Sequence, residues 1–451
     1  SGGLSRSKSK SRTKQKNMNK KLLINARILT MNARMEAYPC GNILIEGGRI
    51  REVSGERLEV ADAEVTDVQG MVVLPGFINV HTHLPMTLLR GYADDLPLHE
   101  WLTEHIFPAE ARMVTEDSVR VGVRLALVEM IKSGTTCFND MYFFEDAVAE
   151  ETRKAGMRGV VGESLIDFPT PGFKTLEEGV RQTEALMRKW QGDDRITPGV
   201  CAHAPYTCSA ETLRRAKGLA DRWNTRLQVH VAETRREVEV IRERTGMTPV
   251  HYLDSLDILD SRMMAAHCVW LTPEEMELMA RRGAAMGHCP KSNLKLGSGM
   301  ADTDRCIKAG MTVGLGTDGT ASNNTLDMVE EMRFAALVAK GRNGDPTALD
   351  ARTALRMATI EGARAIGLGE VTGSIEAGKR ADLIVVHADA SNMVPVYDIY
   401  SAVVYAMNSK NIYSSMVEGE WLMKGRQLTT LDKDAVVAEM INYIKRHKNN
   451  A

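Results

Sequence analysis

The chain has 451 residues, with 57 Lys and Arg against 59 Asp and Glu for a formal net charge of −2, so no global field draws it toward nucleic acid or an anionic membrane. Its seven cysteines are scattered without a CxxC pair, which excludes a disulfide framework or thiolate zinc site as its organising device and suits a reducing cytoplasm. No apolar run reaches the roughly 18 residues of a bilayer span, and the length accommodates an α/β barrel of roughly 250 residues with a smaller domain beside it.

Residues 1–21 hold eight Lys and Arg, no acid and almost nothing apolar. They read as a disordered basic leader or tag, since such a stretch cannot bury enough surface to order itself. Over 22–75, LLINARILTMN, GNILIEGGRIREVS and EVTDVQGMVVLPGF are short β-rich runs separated by Gly and polar turns. The same texture returns over 366–431 in TGSIEAGKRADLIVVHAD and IYSSMVEGEWLMKGRQL. The two chain ends are therefore expected to build one small β-sandwich, followed over 432–451 by a helix from about Asp432 to His447 and a tail.

Between them, over 76–365, apolar runs alternate with helical patterns eight times, as parallel βα units do. The expected strands are FINVHTH, TTCFNDM, GVVGESLID, PGVCAHAPYT, LQVHVAET, MAAHCVWL, AAMGHCPKSN and TVGLGTDG. The fold class is α/β, a (β/α)₈ barrel. One helix can be read in detail: Thr272 as N-cap, Pro273 at the first helical position, Glu275 completing a capping box and Gly283 as the stop.

Polar residues cluster where these strands end. His81 and His83 stand two apart, so both imidazoles face the barrel interior. His230 adds a third imidazole and Asp318 a carboxylate from the last strand, a mixed N/O set suited to Zn²⁺ ahead of Fe²⁺ or Mn²⁺. Glu233, three residues after His230, is placed to carry a proton beside the ion. His267 is either a further ligand or a group that orients the attacking water, the second being preferred. Gly314, Gly316 and Gly319 are expected to let the backbone approach the ion, because no Lys-Ser/Thr pair follows to make a phosphate loop. His99, His105 and His251 read as surface residues, His288 as a supporting or structural one, and the 26 methionines as core filler.

These residues lie within PGFINVHTHLPMTLLRGYADDLP, WLTEHIFPAEAR, HAPYTCS, HVAETRREVEV, AAHCVWLTPEE, HCPKSNLKLGSG, GLGTDGTASNN and GSIEAGKRADLIV. Through them the chain resembles the amidohydrolase superfamily, and within it the 5′-methylthioadenosine/S-adenosylhomocysteine deaminases. The resemblance implies His81, His83, His230 and Asp318 as ligands of one divalent metal, with Glu233, His267 and Asp318 acting on the bound water. It also implies Glu110 as the carboxylate that binds ribose hydroxyls and His203 as a substrate contact, with Glu233 and Asp318 reaching the purine. The implied partner is a nucleoside, with self-association left open. Where the family holds an amino-acid carboxylate with arginines after the third strand, this chain reads GESLIDFPTPGFKT. Glu163 is expected to repel such a tail and Lys174 to lie on the surface, which favours a neutral 5′ group. Hydrolysis of an s-triazine or another aminated heterocycle is the alternative activity, and a metal-free scaffold on the same fold the remote one.

Overall fold

The computed structural model describes residues 20–447. The basic stretch 1–19 and the tail 448–451 lie outside the described residues. β1 (Lys20–Leu29) begins inside the stretch expected to be a leader, because Lys21 is buried and its ammonium donates to the Gly419 carbonyl at 2.5 Å and to Glu420 at 2.8 Å. β1 pairs antiparallel with β2 (Ala37–Glu46), which pairs with β3 (Arg49–Ser54). Its other edge is shared: the first half pairs with β4 (Ala63–Asp67) and the second with β5 (Val72–Pro75), both parallel.

The barrel follows at once. Its staves are β6 (Phe77–Thr82), β7 (Thr135–Tyr142), β8 (Arg158–Leu165), the broken pair β9 (Ile196–Pro198) and β10 (Val200–Ala202), β11 (Leu227–Val231), β12 (Met263–His267), β13 (Ala285–His288) and β14 (Val313–Leu315). Neighbouring staves run parallel in chain order. Apart from the half-buried Thr197 in β9 they are buried along their whole length, as strands covered by helices outside and packed side chains inside must be. The helix Pro273–Arg282 carries the expected caps, with a Thr272 and Glu275 capping box and Gly283 at φ 76°.

β14 meets β6 through a seam rather than a regular ladder. The Asp318 N–H donates to the His81 carbonyl at 2.9 Å, and the Asn79 side chain exchanges two hydrogen bonds with Thr317, at 2.7 and 3.0 Å. The three glycines of this segment permit the close approach, two of them against His81 and His83. A Cβ on Gly314 would lie 2.5 Å from Val80, one on Gly316 2.9 Å from His81, and one on Gly319 2.6 Å from Met86. Only a residue without a side chain lets the last stave close onto the first.

After the barrel, β15 (Leu383–Val386) pairs antiparallel with β5, and β16 (Ile412–Val417), β17 (Glu420–Lys424) and β18 (Gln427–Leu428) extend the sheet. The two chain ends thus form one nine-stranded, mainly antiparallel sheet with its own core of Leu23, Ile28, Ile43, Ile45, Val73, Leu383 and Val385. A buried ion pair joins it to the barrel: Arg158, opening β8, holds Asp382 with bonds of 2.7 and 3.3 Å. The helix Lys433–His447 ends the described chain and docks through Arg124–Glu439 and Tyr443.

Candidate active site

All the polar groups singled out at strand ends converge on one end of the barrel. His81 lies inside β6 and His83 just after it, His230 in β11, and His267 closes β12. Ring centroids of His81 lie 4.9 Å from His83, 4.9 Å from His230 and 5.3 Å from His267. Two overlapping triads, His81–His230–His267 and His81–His83–Asp318, each bring their ligand atoms within 4.8 Å of one another. His81 belongs to both.

The outer nitrogen of each imidazole is tied back into the barrel. His81 Nδ1 pairs with Gln228 Oε1 at 2.8 Å, His83 Nδ1 with the Met141 carbonyl, His230 Nδ1 with the His203 carbonyl at 2.6 Å and His267 Nδ1 with Asn293 Oδ1 at 2.9 Å. A carbonyl can only accept, so it places a proton on Nδ1, and in the neutral ring that a metal binds the Nε2 lone pair then faces inward. His81 Nε2 is fully buried and has no hydrogen-bond partner among the described residues. Inward lone pairs with fixed tautomers, an orphaned buried nitrogen and an adjacent carboxylate are what a single divalent cation requires.

Asp318 is as firmly held. Its Oδ2 accepts from Ser292 at 2.6 Å and Ser322 at 2.8 Å, and its Oδ1 from the Gly319 N–H at 2.8 Å, leaving Oδ1 3.1 Å from His83 Nε2 and 3.6 Å from His81 Nε2. Burial opposes its charge, but the imidazoles outweigh that and hold its carboxyl well below the usual range. Asp318 at φ 60° and His267 at φ 72° occupy left-handed backbone, a strain that persists because surrounding bonds over-determine the loop.

Glu233 follows β11 with its loop buttressed from below. Glu237 accepts from the Ala232 N–H at 2.9 Å and the Glu233 N–H at 2.8 Å, holding Ala232 at φ 50°. The Glu233 carboxyl is buried and lies 3.7 Å from His267 Nε2. Burial, reinforced by Asp318, pushes its pKa up to about 8, so it can hold or release a proton near neutrality. Burial lowers His267 and takes His203 down to about 3, keeping both rings neutral.

A cavity of about 280 Å³ opens onto this cluster. Its inner end is bordered by His83, His230, Glu233, His267 and Asp318, its wall by Glu110, Tyr142 and His203, and its outer end by Trp101, Phe107 and Phe168. Glu110 is buried on the helix Phe107–Met113, and His203 follows β10 with Nδ1 on Thr207 at 2.7 Å. His99 and His251 are exposed and His105 half-buried. His288 is buried at the end of β13, with neither ring nitrogen hydrogen-bonded among the described residues.

The expectation for Glu163 fails. Its carboxyl turns away from the cavity and accepts from the Phe144 and Glu145 N–H groups at 3.2 and 3.1 Å, while its neighbour Ser164 lines the cavity. Successive strand residues face opposite sides, and Glu163 has the outward parity. Lys174 is exposed, as expected, yet it also borders the cavity, with its ammonium 2.7 Å from the Thr170 carbonyl. Sequence reasoning missed Gln228, Asn293, Tyr142, Trp101 and Phe168. Gln228 had a signal, because it stands two before His230 and shares its inward face.

The profile of the amidohydrolase family matches residues 72–422. The chain belongs to the amidohydrolase family. This amidohydrolase is 42% identical over 440 residues to a 5-methylthioadenosine/S-adenosylhomocysteine deaminase of Thermodesulfovibrio yellowstonii, covering 96% of this chain and 100% of the relative. It is 42% identical over 422 residues to a 5′-deoxyadenosine deaminase of Methanosarcina acetivorans, covering 93% and 96%. Among solved structures, an adenosine deaminase from Xanthomonas campestris with bound zinc superposes with a TM-score of 0.93 at 37% identity, covering 95% of this chain and 98% of that one. Among the described residues, no helix of this amidohydrolase is long and apolar enough to cross a membrane.

Proposed function

We propose that this amidohydrolase deaminates 5′-modified adenosines, replacing the 6-amino group by oxygen to give the matching inosine and ammonia. 5′-Methylthioadenosine is the preferred substrate, S-adenosylhomocysteine follows, and adenosine and 5′-deoxyadenosine are weaker. The names of the relatives support this class. The observation that carries it is one cavity bordered both by the Glu233–His267 pair beside the ligand cluster and by the buried carboxyl of Glu110.

His81, His83, His230 and Asp318 would hold a divalent ion, zinc ahead of iron or manganese. When bound, it supplies Lewis-acid chemistry that brings the pKa of water toward about 7. Glu233 accepts a proton from the attacking water and passes it to N1 of the purine as oxygen adds at C6. His267 orients the water through Nε2, and the second proton leaves with the amine as ammonia. Glu110 accepts hydrogen bonds from the ribose hydroxyls, as a carboxylate can from a diol, and neutral His203 makes a further contact. Trp101, Phe107 and Phe168 give the tail an apolar seat suited to methylthio. Among the described residues lining the cavity, Lys174 is the one Lys or Arg, so a tail carboxylate meets a flexible ammonium rather than a bidentate guanidinium clamp.

Ammonia release from methylthioadenosine, S-adenosylhomocysteine, adenosine, guanine and an aminated triazine tests the proposal. The adenosines should react, methylthioadenosine with the highest kcat/KM. Turnover of the triazine or guanine alone, neither of which offers Glu110 a diol, would refute it.

A further inference from the structure

Glu110 rides on a helix within the long connection between β6 and β7, and one described hydrogen bond ties its carboxyl to the barrel: the Tyr142 hydroxyl donates to Glu110 Oε1 at 2.6 Å. Tyr142 is the last residue of β7, is 4% exposed, and lines the same cavity. Its ring also lies beside His83, with centroids 6.2 Å apart. One rigid side chain at a stave end therefore links the imidazole cluster to the carboxyl on the wall.

A buried carboxyl has two oxygens and two rotational settings, and it recognises a diol well only if one setting is fixed. A phenol bound to one oxygen does this and leaves the other turned to accept. We propose that Tyr142 is a positioning residue for ribose recognition, fixing the Glu110 carboxylate so that its second oxygen accepts from the vicinal hydroxyls of the substrate. The inference rests on reading Glu110 as the ribose-binding group. The phenol suits the task because burial raises its own pKa well above 10, so it remains a donor. Its bond also works against the burial that pushes Glu110 to about 7, favouring the accepting form.

The test compares 5′-methylthioadenosine with its own 2′,3′-dideoxy analogue, which differs only in the vicinal hydroxyls, on the metal-loaded full chain, in the unaltered enzyme and in Tyr142→Phe, Glu110→Gln and the double variant, with metal content measured in each. In Tyr142→Phe the KM for methylthioadenosine should rise about tenfold, the usual scale for a bond to a charged group. Its kcat should stay within about threefold, with the dideoxy KM and the bound metal unchanged, because the phenol acts on recognition and not on the reacting atoms. In the Glu110→Gln background the tyrosine change should add nothing. A diol preference that survives Tyr142→Phe, a KM rise shared by the dideoxy substrate, or an undiminished effect without Glu110 would overturn the inference alone. Equal KM for the two substrates in the unaltered enzyme would overturn the ribose reading of Glu110 and this inference with it.

Discussion

At the inner end of the cavity the polar side chains, or the loop that carries them, are held by further polar groups: Gln228 behind His81, Asn293 behind His267, Ser292 and Ser322 behind Asp318, Glu237 behind the backbone of Glu233. At the outer end Trp101, Phe107 and Phe168 come from loops and short helices and are held by apolar packing, Trp101 buried in the core, Phe107 against Phe168 at 5.4 Å between centroids and against His203 at 6.3 Å. The inner end is thus pre-organised for one chemistry, while the outer end can change its lining without disturbing it. On the proposed function, reactivity and tail preference would be separable, because different kinds of contact hold the two ends.

If that contrast is right, the largest effect belongs to the inner end. Glu233→Gln should lower kcat on the order of a thousandfold, the scale of a lost general base, while elemental analysis finds the metal content unchanged; near-normal turnover would remove Glu233 from its role. Next comes a group whose amide oxygen holds one of the proposed ligands, His81, while its nitrogen donates to Cys201 Sγ at 3.6 Å. Gln228→Ala should weaken metal affinity by about 10- to 100-fold in chelator competition, and unaltered affinity would mean that His81 orients itself. At the outer end the change should be modest and confined to binding. Phe168→Ala is expected to raise the KM for methylthioadenosine roughly fivefold, the scale of one aromatic contact, with kcat unchanged. A fall in kcat there would break the separation.

The smallest expected effect concerns stability of the metal-free protein. Glu331 is buried behind the loop of Asp318, where it accepts from Asn323 at 2.6 Å, and burial pushes its pKa from 4.5 to about 8. The folded state therefore keeps this proton where the unfolded chain has lost it. Stability is fully present below the unfolded value and declines as pH rises through the folded one. Thermal unfolding should give a Tm a few degrees lower at about pH 8 than at about pH 5, and Glu331→Gln should flatten that slope.

The same contrast explains what could be read without coordinates. His81, His83, His230, His267 and Asp318 were legible because each ends an apolar run, and barrel geometry brings such ends together whatever the loops do. Glu110 and His203 came from a resemblance, not from any pattern of their own. Trp101 and Phe168 lie in segments without periodicity, where nothing local says which side chain faces inward. The error at Glu163 was one of parity: a shift of one residue in a strand reverses the face, and Ser164 took the place expected for the acid. The start of the β-domain was misjudged because two lysines look solvated in sequence, whereas Lys21 is paid for by a carbonyl and a carboxylate nearly 400 positions away.

The seam between β14 and β6 gives the cofactor site a place in time. One of the bonds that fasten the barrel runs from Asp318 to His81, both of them in the proposed ligand set, so a stitch that closes the ring also brings the carboxylate to the imidazoles. A chain still emerging from the ribosome carries His81, His83 and His230 long before Asp318 exists. With that ligand set, full ligation would wait until the last stave is in place, and uptake of the ion would report completed folding.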